Sequence, residues 1–184
     1  MTDHFARLGL SPRAALDPEE LKARYHELAR ESHGEEGADS ADLNAAFSCL
    51  PQPSTRLRHL LELLFPDEAS QRLGGTIPGV FIDLFSSLAT AIQKVDAVGA
   101  RKKAARSALA QALVAGDEME AREAIEAVGS LIHAERHALE ETFPELDTSM
   151  AFDKLSRAYR AFGFLDKWQA QVRAKLLELY ESDG

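Results

Sequence analysis

The sequence predicts an all-α chain: a helical hairpin with flanking helices, followed by a long antiparallel three-helix bundle with room for one extra helix. Three observations carry that prediction. Strong helix formers (Ala, Leu, Glu, Arg, Gln) dominate, and long Val/Ile/Thr runs are missing. Apolar residues recur at alternating spacings of three and four, the period of an amphipathic helix. The prolines fall between these stretches and not within them. With 184 residues and 45% hydrophobic content, the chain can bury the core of one domain or of two small ones.

Each element has its own local reason. Phe5 and Leu8 mark a short helical turn closed by Gly9. A stronger start follows, with Asp17 as cap, Pro18 at the first helical position and Glu20 completing a capping box. Leu21, Tyr25 and Leu28 then share one stripe, while Lys22, His26 and Arg30 share another. This helix is expected to end before Gly34, ahead of an acidic loop with Glu35, Glu36 and Asp39. A third helix runs from about Ser40 to Leu50, with Leu43, Ala46 and Phe47 facing inward, and is broken by Pro51 and Pro53. A fourth spans Ser54 to Phe65. The stretch 66–78, with Gly74-Gly75 and two prolines, reads as a linker, so the expected division is 1–65, 66–78 and 79–184.

Beyond Pro78 the pattern lengthens. Val80, Phe81, Leu84, Phe85, Leu88, Ile92 and Val95 form a wide apolar stripe, and Gly99 either weakens one long helix or divides two. Gly116-Asp117 reads as a stop and a new cap, with Glu120 three residues on. The helix begun there is expected to reach about Thr142, before Pro144, and a last helix to run from about Asp147 or Thr148 to Tyr180. Leu155, Ala158, Phe162, Leu165, Gln169, Val172, Leu176 and Leu179 make a heptad seam in it, which reads as a bundle core first and a dimer interface second.

Composition excludes several functions. A net charge of −9 opposes binding to phosphate backbones, so no nucleic-acid partner is expected despite Arg101, Lys102, Lys103 and Arg106. No apolar run approaches the roughly 20 residues that span a bilayer, so a cytoplasmic protein without membrane contact is expected. Cys49 is the single cysteine, which rules out an internal disulfide. His133 and His137 stand at chelating spacing, yet Ala134 occupies the position where a zinc-protease motif needs Glu, and a solvated helix face is the reading adopted. Acidic pairs such as Glu19/Glu20 and Glu140/Glu141 fit caps and surface charge. No cofactor, metal or enzyme activity is expected.

The order of elements over the first 65 residues resembles a J domain. Asp3-x-Phe5-x-x-Leu8-Gly9-Leu10 is similar to its opening, and Leu21-Lys-Ala-Arg24-Tyr25-His-Glu-Leu28-Ala-Arg30-Glu-Ser-His33 to its second helix and the loop beyond. Leu43-Asn44-Ala-Ala46-Phe47-x-x-Leu50 and Arg56-Leu57-Arg-x-Leu60-Leu61 are similar to the third and fourth helices. Phe162-Gly-Phe164-Leu165-Asp166-Lys167 extends the resemblance to the HscB-type co-chaperones of iron–sulfur cluster assembly, which follow the J domain with a three-helix bundle. The resemblance implies docking on a DnaK-class chaperone through Lys22, Arg24, His26 and Arg30. It also implies that a client, such as an iron–sulfur scaffold protein, is held at Phe81, Leu84, Phe85 and Phe164. The family's His-Pro-Asp tripeptide is here His33-Gly34-Glu35. Glycine loosens what proline fixes, and Glu35 sets its charge one methylene further out, so ATPase stimulation is expected to be weakened or lost. The alternative is a helical interaction or assembly module that keeps the J fold as a scaffold, as a monomer or as a homodimer through the C-terminal bundle.

Overall fold

A computed structural model describes residues 2–31 and 38–181. His33, Gly34 and Glu35 therefore lie outside the described residues, as does Glu36. In chain order the helices are α1 (His4–Arg7), α2 (Pro18–Glu31), α3 (Ala38–Cys49), α4 (Pro53–Leu64), α5 (Pro66–Arg72), α6 (Ile82–Ala104), α7 (Ala108–Glu141), α8 (Phe143–Ser149) and α9 (Phe152–Glu181), with a 3-10 turn at Gly79–Phe81 before α6. The all-α prediction holds among the described residues. The chain divides into two compact units: Met1–Thr76 with Ala138–Gly163, and Ile77–His137 with Phe164–Gly184.

Local chemistry explains the first unit's starts and stops. Asp3 caps α1 by accepting from the Phe5 and Ala6 amides, and Gly9 follows at φ 66°, a left-handed exit that a side chain would strain. Asp17 caps α2 through the Glu19 amide, as its position in the sequence suggested. Glu20 does not complete the capping box but pairs with Arg13 at 2.8 Å. Tyr25 ties α2 to α3, stacking on Phe47 at 4.1 Å and donating its hydroxyl to Asn44 Oδ1 at 2.8 Å.

The core of this unit reaches well past residue 65. Phe5, Leu8, Leu21, Leu43, Leu50, Leu57, Leu60 and Leu61 are buried in one cluster with Phe143, Leu146, Leu155, Ala158 and Phe162. Each leucine or phenylalanine side chain in this cluster, when fully buried, contributes about 1.5–3 kcal/mol. Buried Arg56 joins the two sets: its Nη1 donates to the Leu50 carbonyl at 2.7 Å, and its guanidinium lies 5.5 Å from the centre of the Phe143 ring. Burial pulls its pKa down, against the opposing field of Glu140 and Asp147. Two sequence expectations change here. Residues 66–72 of the expected linker form α5, with Ala69 in the core. Asp147 starts no helix; its carboxylate accepts from the Ala14 and Ala15 amides at 2.5 and 2.9 Å, inside the added helix α8.

The second unit holds α6 with parts of α7 and α9. α6 runs unbroken through Gly99, which answers the question left open by the sequence. The break comes at 105–107 instead of Gly116-Asp117, since α7 passes through both residues. Glycine in a helix interior costs only about 1 kcal/mol, and Asp117, which looked like a new cap, holds the end of α6 together with its neighbour Glu118. Asp117 pairs with Arg101 at 2.5 Å and Glu118 with Lys102 at 3.0 Å. Gly129 allows α7 to approach α9 closely, because a Cβ there would meet Val172 Cγ1 at 3.3 Å. The seam of α9 faces inward as expected: Leu155, Ala158, Phe162, Leu165, Val172 and Leu179 are buried, while Gln169 and Leu176 are half-buried.

Candidate functional site

Two surfaces carry the residues singled out by the sequence, one in each unit. The first is the outer side of α2. Lys22, Arg24, His26 and Arg30 are all exposed there. At about 100° per residue, Lys22, His26 and Arg30 cover an arc of about 80°, whereas Arg24 falls about 160° from Lys22. The expected four-residue face is thus a stripe of three, with Arg24 on the other flank beside Glu27, which it meets at 3.1 Å. Lys22 pairs with Glu19 at 2.9 Å, and Arg30 Nε donates to the His26 carbonyl at 3.1 Å. Helix α2 carries four carboxylates (Glu19, Glu20, Glu27, Glu31) against three permanent cations (Lys22, Arg24, Arg30). Exposed pairs of this kind bind weakly, about 0–1 kcal/mol, so an acidic partner can displace the glutamates.

The second surface lies on α6 and α9 within the second unit. Of the four candidates, Phe81 and Leu84 are core residues, 2% and 9% exposed. Phe81 packs edge-on against Trp168 at 6.1 Å and is not available to a partner. Phe85 is 44% exposed and Phe164 half-buried, and both touch the same indole, at 5.8 and 6.0 Å. Ile82, 58% exposed, adds to the flank of α6 that carries Phe85. Ile82, Phe85 and Phe164 therefore make an apolar patch over a buried Trp168, bordered by Lys167, whose ammonium lies 5.8 Å from the Phe164 ring. Trp168 organises this patch and was not picked out in the sequence, because it sits off the heptad seam. Its spacing from Phe164 and Leu165, i+4 and i+3, was the available signal.

Other candidates are structural. His59 is buried under His4 and Phe5, and its Nε2 accepts the His4 amide at 3.0 Å. Burial pushes its pKa down, and neighbouring His4 adds to the effect. Cys49 is half-buried, and burial raises its thiol pKa away from the reactive thiolate form. His133 and His137 are exposed on α7, and among the described residues no three His, Cys, Asp or Glu are grouped to hold a metal ion. No helix among the described residues is long and apolar enough to cross a membrane.

No protein-family model matches the chain. Among solved structures it is similar to the chaperone HscB from Vibrio cholerae, with a TM-score of 0.58 and 16% identity over 97% of this chain and 99% of that one. Agreement over nearly the full length of both chains establishes an HscB-type fold.

Proposed function

We propose that the chain is a non-enzymatic, cytoplasmic co-chaperone adaptor of the HscB type. It docks on a DnaK-class chaperone through Lys22, His26 and Arg30 and presents a client protein on the patch of Ile82, Phe85 and Phe164. The observation that carries this reading is the exposed Lys22–His26–Arg30 stripe on a hairpin built like that of a solved HscB chaperone. An iron–sulfur scaffold protein is the client class that the resemblance implies. With His33-Gly34-Glu35 in place of His-Pro-Asp, docking persists while ATPase stimulation is weak.

Single-turnover ATPase assays with the host's DnaK-class proteins, paired with binding measurements, test the proposal. Binding with little stimulation is expected, and Lys22→Glu with Arg30→Glu should abolish it. Full stimulation by the wild type would overturn the weakened step. Absence of binding, even with Gly34→Pro and Glu35→Asp in place, would overturn the chaperone reading. The excess of carboxylates over cations on α2 favours a second reading, in which the J-like hairpin is only a scaffold for an assembly module. Under that reading the same charge reversals leave every partner in a pull-down unchanged.

A further inference from the structure

The outer side of α7 carries an apolar stripe left largely uncovered among the described residues. Leu109 and Leu113, one turn apart, are 72% and 61% exposed. At about 100° per residue, Leu109, Leu113, Gly116 and Glu120 fall within an arc of about 60°. Val114, Ala121 and Ile125, which face the core, lie about 120° further round the helix. Arg106, just ahead of α7, extends the same alternation of three and four by one step. Most of the α9 seam, where the sequence allowed a dimer, is buried within its own chain and is not open to a partner.

The two ends of the stripe differ in charge. Arg106 and Glu120 are both exposed, and neither has an ion-pair partner among the described residues. The neighbouring cations Arg101 and Lys102 are already engaged by Asp117 and Glu118. Along the helix the order is therefore cation, leucine, leucine, glycine, anion, and this order complements its own reverse about Leu113. In an antiparallel pair, Arg106 of one copy meets Glu120 of the other, and the two Leu113 side chains meet on the two-fold axis. Leu109 then rests over the other copy's Gly116, where a Cβ would meet nothing within 4 Å and a side chain has room. Other alignments set like charges together, which is unfavourable. A parallel pair would place Arg106 on Arg106 and Glu120 on Glu120. Sliding the antiparallel copies to bring in Leu131, 52% exposed, would centre the contact on two Glu120 carboxylates.

We infer that a second copy of this chain docks on the outer side of α7, as an antiparallel pair of helices centred on Leu113. The stripe from Arg106 to Glu120 is about 21 Å long, and one such pair buries less than the roughly 1,200 Å² of a standard interface. The dimer is therefore weak, with a dissociation constant of about 100 µM. The inference is independent of the co-chaperone reading, since it uses neither α2 nor the Phe85 patch.

Sedimentation equilibrium of the full chain, over a concentration series that brackets this constant, tests the inference. The average mass should rise from one chain toward two. Leu113→Glu, a change at an exposed side chain, sets two carboxylates together on the axis. It should weaken association about ten-fold or more while the helical signal and the melting temperature stay unchanged. Arg106→Glu and Glu120→Arg should each weaken association in the same way. Mixed in equal amounts, these two variants should pair, since one carries anions at both ends of its stripe and the other cations. Both changes in one chain should restore the wild-type mass curve. A mass that stays at one chain throughout the series would overturn the inference. So would a dimer that survives Leu113→Glu, or a mixture of the two charge variants that fails to pair.

Discussion

Lys22 stands beside Glu19 of its own helix, and that pairing sets how the proposed docking stripe behaves. Glu19 lowers the positive field without adding much stability. Replacing Glu19 with glutamine should strengthen binding to a DnaK-class chaperone about two-fold or more at low ionic strength, with the gain shrinking as salt rises. Calorimetry at two salt concentrations would check it, and an unchanged affinity would show that α2 does not face the partner. His59 supports a second prediction. The folded protein holds this imidazole neutral, while the unfolded chain takes up a proton below the ordinary histidine pKa of about 6.5. Its contribution to stability is therefore complete above about pH 6.5 and is lost as the pH falls from there toward the depressed folded value. Urea midpoints measured across that window should fall, and His59→Gln, which still offers an acceptor but does not titrate, should flatten the slope.

Among the helices, α7 is where the sequence and the structure part most clearly. The pair Gly116-Asp117 has the chemistry of a helix end, yet the helix continues because Asp117 and Glu118 serve Arg101 and Lys102 on α6. A Cβ at Gly116 would meet nothing within 4 Å, so Gly116→Ala should stabilise the protein by about 1 kcal/mol in thermal unfolding. If the helix broke there as the sequence suggested, the same change would be neutral or harmful. Helix α8 gives the opposite lesson. Seven residues, opened by Phe143-Pro144, are too few for a periodic signal, and Asp147 looks like a cap for the helix that follows. Its carboxylate instead satisfies the Ala14 and Ala15 amides, more than 130 positions earlier in the chain. Asp147→Ala should cost about 1–3 kcal/mol, because two backbone donors lose their partner.

For the molecule as a whole, the N-terminal unit is a structural unit but not a contiguous piece of sequence. Its core needs Phe143, Leu146, Leu155, Ala158 and Phe162, so residues 1–76 on their own should show helical far-ultraviolet dichroism without a cooperative melt, while the full chain melts cooperatively. A sharp transition for the fragment would contradict this account of the core. Within the full chain, Phe162→Ala should cost about 3–5 kcal/mol, as expected of a large buried side chain. The all-α class, the bounds of α2 to α4 to within a few residues, the heptad seam of α9 and the J-like order of the first 65 residues were all readable from the chain, because each rests on contacts between neighbours three or four positions apart. Four things became visible only in three dimensions: the burial of Phe81, the central place of Trp168, the capture of Asp147 by distant amides, and the extra helices that complete the first core. Each depends on which residues meet after long loops close. Local periodicity records which face of a helix is apolar, but not what that face will be packed against.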